Sequence, residues 1–140
     1  MMVLRARFQF ALVLGLLVAG CASLAQYPAP TQERLAWAYH VESSTVNMVA
    51  YTSSKETCAV SRAKDSYSLA RDNAWLGARV GECQPMRLVP GGSAYWGFDL
   101  VRYPGMGLAF STRNFCEMSR KGWPVSAGPV TACGSIDVVR

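Results

Sequence analysis

Two stretches of this chain end alike. Residues 53–62 read SSKETCAVSR and residues 111–120 read STRNFCEMSR. Each closes on a cysteine with Ser-Arg at the third and fourth places after it. A repeat constrains a fold more than any single motif, because each copy must bury its apolar face against the other. Sliding the chain along itself until Trp37 lies on Trp96 also brings Tyr39 onto Phe98 and Val41 onto Leu100. The same shift lays Val49 to Ser53 on Leu108 to Thr112. After one deletion, Cys58, Ser61 and Arg62 fall on Cys116, Ser119 and Arg120. VGECQPMRLV from Val80 then aligns without gaps on VTACGSIDVV from Val130, which superposes Cys83 on Cys133. The matches are collinear and include both cysteines.

The two copies share one internal pattern. Trp37, Tyr39 and Val41 alternate with small or polar residues, as do Trp96, Phe98 and Leu100. Period two with aromatic and β-branched residues predicts a half-buried strand. A turn follows, ESST in the first copy and RYPGMG in the second, where Pro104-Gly105 suits a tight turn. A second strand carries Val49 and Tyr51, or Leu108 and Phe110. Ser53 to Glu56 has the spacing of a capping box. Ser111 or Thr112 suits the second helix cap, and Gly122 its end. A helix of about ten residues is expected in each copy. A last strand holds Cys83 or Cys133.

The expected fold is therefore α+β: two tandem ββαβ repeats with pseudo-twofold symmetry in one compact domain over 35–140. Repeat 1 spans 35–89 and repeat 2 spans 94–140. PGGS, residues 90–93, reads as a turn or linker between them. The copies differ most between helix and last strand, where the first carries AKDSYSLARDNAWLGAR, a loop or a longer helix, and the second only KGWPVSAGP.

The N-terminus sets the compartment. Arg5 and Arg7 precede an apolar run from Phe8 to Val18, broken only by Gln9, and small residues follow. That is the layout of a secretory signal peptide. The run is shorter than the roughly 20 residues of a bilayer span, against a retained transmembrane helix. The run ends in Val18-Ala19-Gly20-Cys21. This resembles the lipobox of bacterial lipoproteins, with residues 1–20 as the signal. The resemblance implies that Cys21 receives a diacylglycerol and becomes the acylated N-terminus. Ala22 and Ser23 follow in place of an inner-membrane retention aspartate, which leans toward the outer membrane. The alternative is plain secretion or release to the periplasm, with cleavage after Ala25. Residues 21–34 are expected to be the lipidated cysteine and a flexible tether.

Either reading leaves Cys58, Cys83, Cys116 and Cys133, an even set in an exported chain. The helix cysteine faces the strand that returns beside it, so the expected pairs are Cys58–Cys83 and Cys116–Cys133. Cross-repeat pairing satisfies the arithmetic but breaks the parallel between copies. Zinc fits poorly: no CxxC is present and His40 is the single histidine.

Catalytic signals are weak. His40 points away from Tyr39 and Val41 and reads as an exposed strand histidine. No GxSxG, HExxH or phosphate loop is present, and the nine acids are scattered. The expectation is no enzyme, no cofactor and no metal. Removing Arg5 and Arg7 lowers the net charge from +5 to +3, too mild for a nucleic-acid reader. Arg62 and Arg120, at equivalent places, are candidates for an anion site, set against simple cover of a helix face or a bond to a carbonyl. Trp75, Tyr103 and Trp123 are candidates for aromatic contacts, set against core packing. The W…C…C pattern with Cys83-Gln84-Pro85 is loosely similar to small exported bacterial proteins of no assigned activity, and Cys133-Gly134-Ser135 departs from it. The functional expectation is a small non-catalytic envelope lipoprotein, a binding or structural module. It would meet the membrane through lipid on Cys21, and an envelope component or protein as partner. The alternative is a disulfide-stapled inhibitor presenting RYPGMG. An envelope hydrolase would need a cleft with convergent polar groups.

Overall fold

The structure, a computed structural model, describes residues 27–71 and 77–140. The lipobox, Cys21 and Trp75 lie outside them. In chain order the elements are β1 (Arg34–Glu42), β2 (Asn47–Thr52), α1 (Lys55–Leu69), β3 (Arg79–Val80), β4 (Gln84–Asp99), β5 (Gly107–Phe110), α2 (Arg113–Lys121) and β6 (Gly134–Val139), with a short 3-10 turn at Val125–Ala127. The fold is mixed α/β. Strands β1, β2, β5 and β4 close into a four-strand antiparallel barrel, because the first half of β4 pairs with β1 and its second half with β5. β3 extends β1, and β6 pairs with both halves of β4.

Alternation along the strands builds two cores. Ala36, Ala38, Val49, Tyr51, Met86, Leu88, Ala109 and Ile136 cluster on the face inside the barrel. Tyr39, Val41, Met48, Ala50, Phe98 and Phe110 cluster outside it with Cys58 and Cys116. β2 is buried at five of its six positions, so it has a core on each face. A narrow barrel requires small residues within. Gly97 fills that need, since a Cβ there would stand 3.0 Å from the Leu108 carbonyl oxygen and 3.2 Å from the Ala109 side chain.

Two helices cover the outer core. Thr112 caps α2 by accepting from the Phe115 amide, and Gly122 ends the helix. α1 differs from expectation in two respects. Its cap is Ser54, which accepts from the Thr57 amide; Ser53 lies one residue too early. The helix also runs 15 residues, taking in the first part of the polar insert. Both disulfides form as the architecture predicts. Cys58–Cys83 and Cys116–Cys133 have Cα separations of 6.1 and 6.2 Å. Closing loops of 25 and 17 residues contributes roughly 3 kcal/mol each in the chain-entropy model.

Pro90 to Ser93 is no linker. It lies within β4, where the register against β6 shifts between Pro90 and Tyr95. Gly91 takes a φ of 82°, a region open to glycine. The Asp137 carboxylate accepts from the amides of Ser93 and Ala94, both at 2.9 Å. A residue far along the chain thus holds the bulge, which no local reading of PGGS reveals.

The expected tether is shorter than residues 21–34. Tyr27 forms a parallel bridge with Thr131, and its carbonyl accepts from the Ala132 amide at 2.8 Å. Ala29 sits against Gly134 so closely that a Cβ there would lie 2.7 Å away. Residues 27–33 therefore join the barrel before β1 begins.

Candidate functional site at the Arg34 end of the barrel

β1 aims its even residues inward, so Arg34 heads the row Arg34, Ala36, Ala38 and His40. Asp99 closes β4 beside it. Arg34 Nη2 donates to Asp99 Oδ1 at 2.5 Å. The Tyr51 hydroxyl donates to the same oxygen at 2.6 Å and lies 3.0 Å from the Phe98 carbonyl. The Asp99 amide is held in turn by Thr131 Oγ1 at 2.9 Å. The Arg34 guanidinium also lies 5.5 Å from the centre of the Tyr51 ring.

The chemistry of this cluster is that of a clasp. Burial first, then the Asp99 charge and hydrogen bond, push the Tyr51 phenol well above its ordinary range, so it stays protonated and donates. Arg34 Nε is buried without a hydrogen-bond partner. The adjoining recess, lined by Pro30, Arg34, Tyr51, Gly97, Gly134 and Ser135 among others, has a free volume of about 10 Å³. That is room for about one water molecule.

Three segments meet at this end. The Val101 amide donates to the Pro129 carbonyl at 3.1 Å, and Arg102 Nη1 reaches the Ser126 carbonyl at 3.4 Å. Tyr27 is bridged to Thr131 in the same loop. RYPGMG forms a tight turn. Met106 donates to the Tyr103 carbonyl across Pro104 and Gly105, and Gly105 has a φ of 80°. Tyr27, Tyr103 and Val125 are 38%, 49% and 95% exposed there.

No protein-family model matches this chain, and no curated protein or solved structure is significantly similar to it. The two disulfides suit an oxidising, exported environment. Among the described residues no helix is long and apolar enough to cross a membrane, and no group of three His, Cys, Asp or Glu side chains is placed to hold a metal ion.

The residues singled out from sequence have diverse places. Arg62 Nε donates to the Gly81 carbonyl at 2.6 Å, and its Nη2 pairs with Glu82 at 2.7 Å. It braces the segment leading into Cys83. Arg120 instead pairs with Glu117 on its own helix at 3.0 Å. The two arginines thus form separate ion pairs. Trp123 packs edge-on against Phe98 with ring centres 5.7 Å apart, a core role. Tyr103 stands exposed at the tight turn. Trp75 lies outside the described residues. His40 does point away from Tyr39 and Val41, but it is half-buried, 6.3 Å from the Tyr95 ring. Burial first, aided by Arg140 and opposed by Glu42, lowers its pKa below the ordinary 6.5.

Sequence reasoning missed the Arg34–Asp99–Tyr51 cluster. Arg34 and Asp99 are 65 positions apart. The one available signal was a charge at the end of an alternating row in each strand, Arg34 before Ala36 and Ala38, and Asp99 after Gly97.

Proposed function

We propose that this chain is an internally duplicated, exported module, held to an envelope membrane by an acylated Cys21 and acting by binding or as structure, without catalysis. The observation that carries the reading is the pair of disulfides, each fixing the fourth residue of a helix to the approach of a closing strand. Such staples favour a preorganised surface in a small domain.

Strand registers support the duplication. Three offsets relate the copies, and they take Trp37 to Trp96, Cys58 to Cys116 and Cys83 to Cys133 in turn. Under these offsets Ala36↔Met86 matches Tyr95↔Ile136, and Ala38↔Gln84 matches Gly97↔Gly134. Tyr39↔Ala50 matches Phe98↔Leu108, and Val41↔Val80 matches Leu100↔Val130. This agreement needs the Cys58-to-Cys116 offset from β2 onward, so the missing residue falls in the turn before β5. The alignment of Val49 with Leu108 is therefore one residue out. Val49 faces into the barrel with Ala109, whereas Leu108 packs on the outer core; a slip of one residue exchanges the faces of a strand.

The lipobox resemblance of Val18 to Cys21 supports the anchor. Intact mass of the full chain made in a bacterium, with and without reductant, tests both halves of the reading. The expected product begins at acylated Cys21 and gains the mass of four hydrogens on reduction. A product beginning at Gln26 without lipid overturns the anchor. A non-reduced peptide joining Cys58 to Cys133 overturns the two-unit architecture.

A further inference from the structure

We infer that the Arg34 end of the barrel, presenting Tyr27, Arg102, Tyr103 and Val125, lies flat against a lipid headgroup surface. The inference rests on the acylation of Cys21 proposed above. It begins from chain length. Tyr27 is bonded to the barrel through Thr131 and Ala132, so only residues 22–26 separate the anchor from the folded domain. Fully extended, that connection spans at most about 20 Å. β1 runs nine residues away from Arg34 toward the 43–46 turn, a length of roughly 30 Å. An anchor so short reaches a bilayer beside the Arg34 end and falls short of one at the far end.

The surface at the Arg34 end fits that partner. Tyr27 and Tyr103 offer amphipathic rings, Val125 an almost fully exposed aliphatic side chain, and Arg102 a positive charge. Aromatic rings, aliphatic groups and arginine are the side chains that settle at headgroup level. Residues 100–106 and 124–131 contain no aspartate or glutamate, and Glu33, the one acid in residues 27–33, is paired with Arg87 at 3.4 Å, which limits repulsion of anionic lipid. The Asp99 carboxylate behind them is paired with Arg34. The presenting loops are also fixed. Gly128, at a φ of 90°, lies so close to Arg102 that a Cβ would stand 3.1 Å from its Nε.

The test uses the full acylated chain with a thiol introduced by Val125→Cys, and separately by Tyr103→Cys or Ser44→Cys. The four remaining native cysteines are in disulfides and Cys21 carries lipid, so the new thiol alone takes an environment-sensitive dye. Each protein is reconstituted into phosphatidylethanolamine–phosphatidylglycerol vesicles after intact mass has verified the acyl group. The expected result is a blue shift and brightening of the dye at positions 125 and 103, with none at position 44 on the far turn. Dyes at 125 and 103 that match position 44, on protein shown to be acylated, overturn the inference and leave the anchor standing. A mass without lipid overturns the anchor itself, and the inference with it.

Discussion

The Tyr51 hydroxyl occupies the space a side chain at position 107 would need: a Cβ on Gly107 would stand 2.4 Å from that oxygen and 2.3 Å from the Phe98 carbonyl. Position 107 is thus committed to glycine by a neighbour across β2–β5 and by the backbone of β4. Gly107→Ala is expected to cost roughly 1–3 kcal/mol through overpacking. Tyr51→Phe, which removes a buried bond to a charged carboxylate, is expected to cost about 1.5–3 kcal/mol. Because the Phe98 carbonyl remains in the way, Gly107→Ala stays destabilising in a Tyr51→Phe background. Urea unfolding of the three proteins measures this. Full rescue by Tyr51→Phe would show that the backbone contact is unimportant.

The bulge in β4 gives a prediction of the opposite kind. A Cβ on Gly92 would meet the Asp137 carboxylate at 2.1–2.5 Å, and that carboxylate holds the amides of Ser93 and Ala94. Asp137→Ala is expected to cost about 1 kcal/mol for the lost acceptor. Gly92→Ala costs more in the native chain than in Asp137→Ala, since the obstacle is then gone. A double-mutant cycle reads the difference as a coupling. Simple additivity would mean that Asp137 does not define the bulge.

Each disulfide ties its own helix to the barrel, so each is expected to contribute independently. Replacing Cys58 and Cys83 by serine, or Cys116 and Cys133, lowers stability by roughly 3 kcal/mol. Thermal melts of the two variants, and of the native protein with reductant, check this. Equal melting temperatures with and without reductant would sink it.

His40 makes stability depend on pH. Burial holds its folded pKa below 6.5, so the unfolded chain takes up the proton first as pH falls. Its stabilising contribution is complete above about pH 6.5 and declines below that, down through the lowered folded value. His40→Gln is expected to flatten the melting temperature between about pH 7.5 and 5, an interval chosen around the ordinary histidine pKa of about 6.5. An unchanged slope in that variant would assign the effect elsewhere.

What the sequence disclosed was whatever repeats or alternates. Trp37, Tyr39 and Val41 placed β1, their partners Trp96 and Phe98 placed the second half of β4, and a helix cysteine beside a returning strand cysteine in each copy placed both disulfides. What it hid depends on residues far apart. Asp137 turns PGGS from a linker into a bulge, and Asp99 draws in Arg34 from 65 positions away. Residues 27–33 contain two prolines and no period, and their packing arises from Thr131 and Gly134, not from propensity. Ser53 matched the capping-box spacing, yet the helix is capped by its neighbour Ser54. Arg62 and Arg120 share a position in the repeat but have different acids within reach, Glu82 and Glu117.

The length of β4 governs how the molecule comes apart. Its sixteen residues pass without a break from the half that follows Cys83 to the half that pairs with β5. β6 then bonds to both stretches, with Ile136 opposite Pro90 and Tyr95 alike. The seam of the proposed duplication is therefore a stave of the wall itself, and neither half can melt while the other keeps its barrel closed. Independent repeats would lose order in steps. This chain, with its disulfides intact, is built to lose it all at once, in a single cooperative transition whose calorimetric and van't Hoff enthalpies agree.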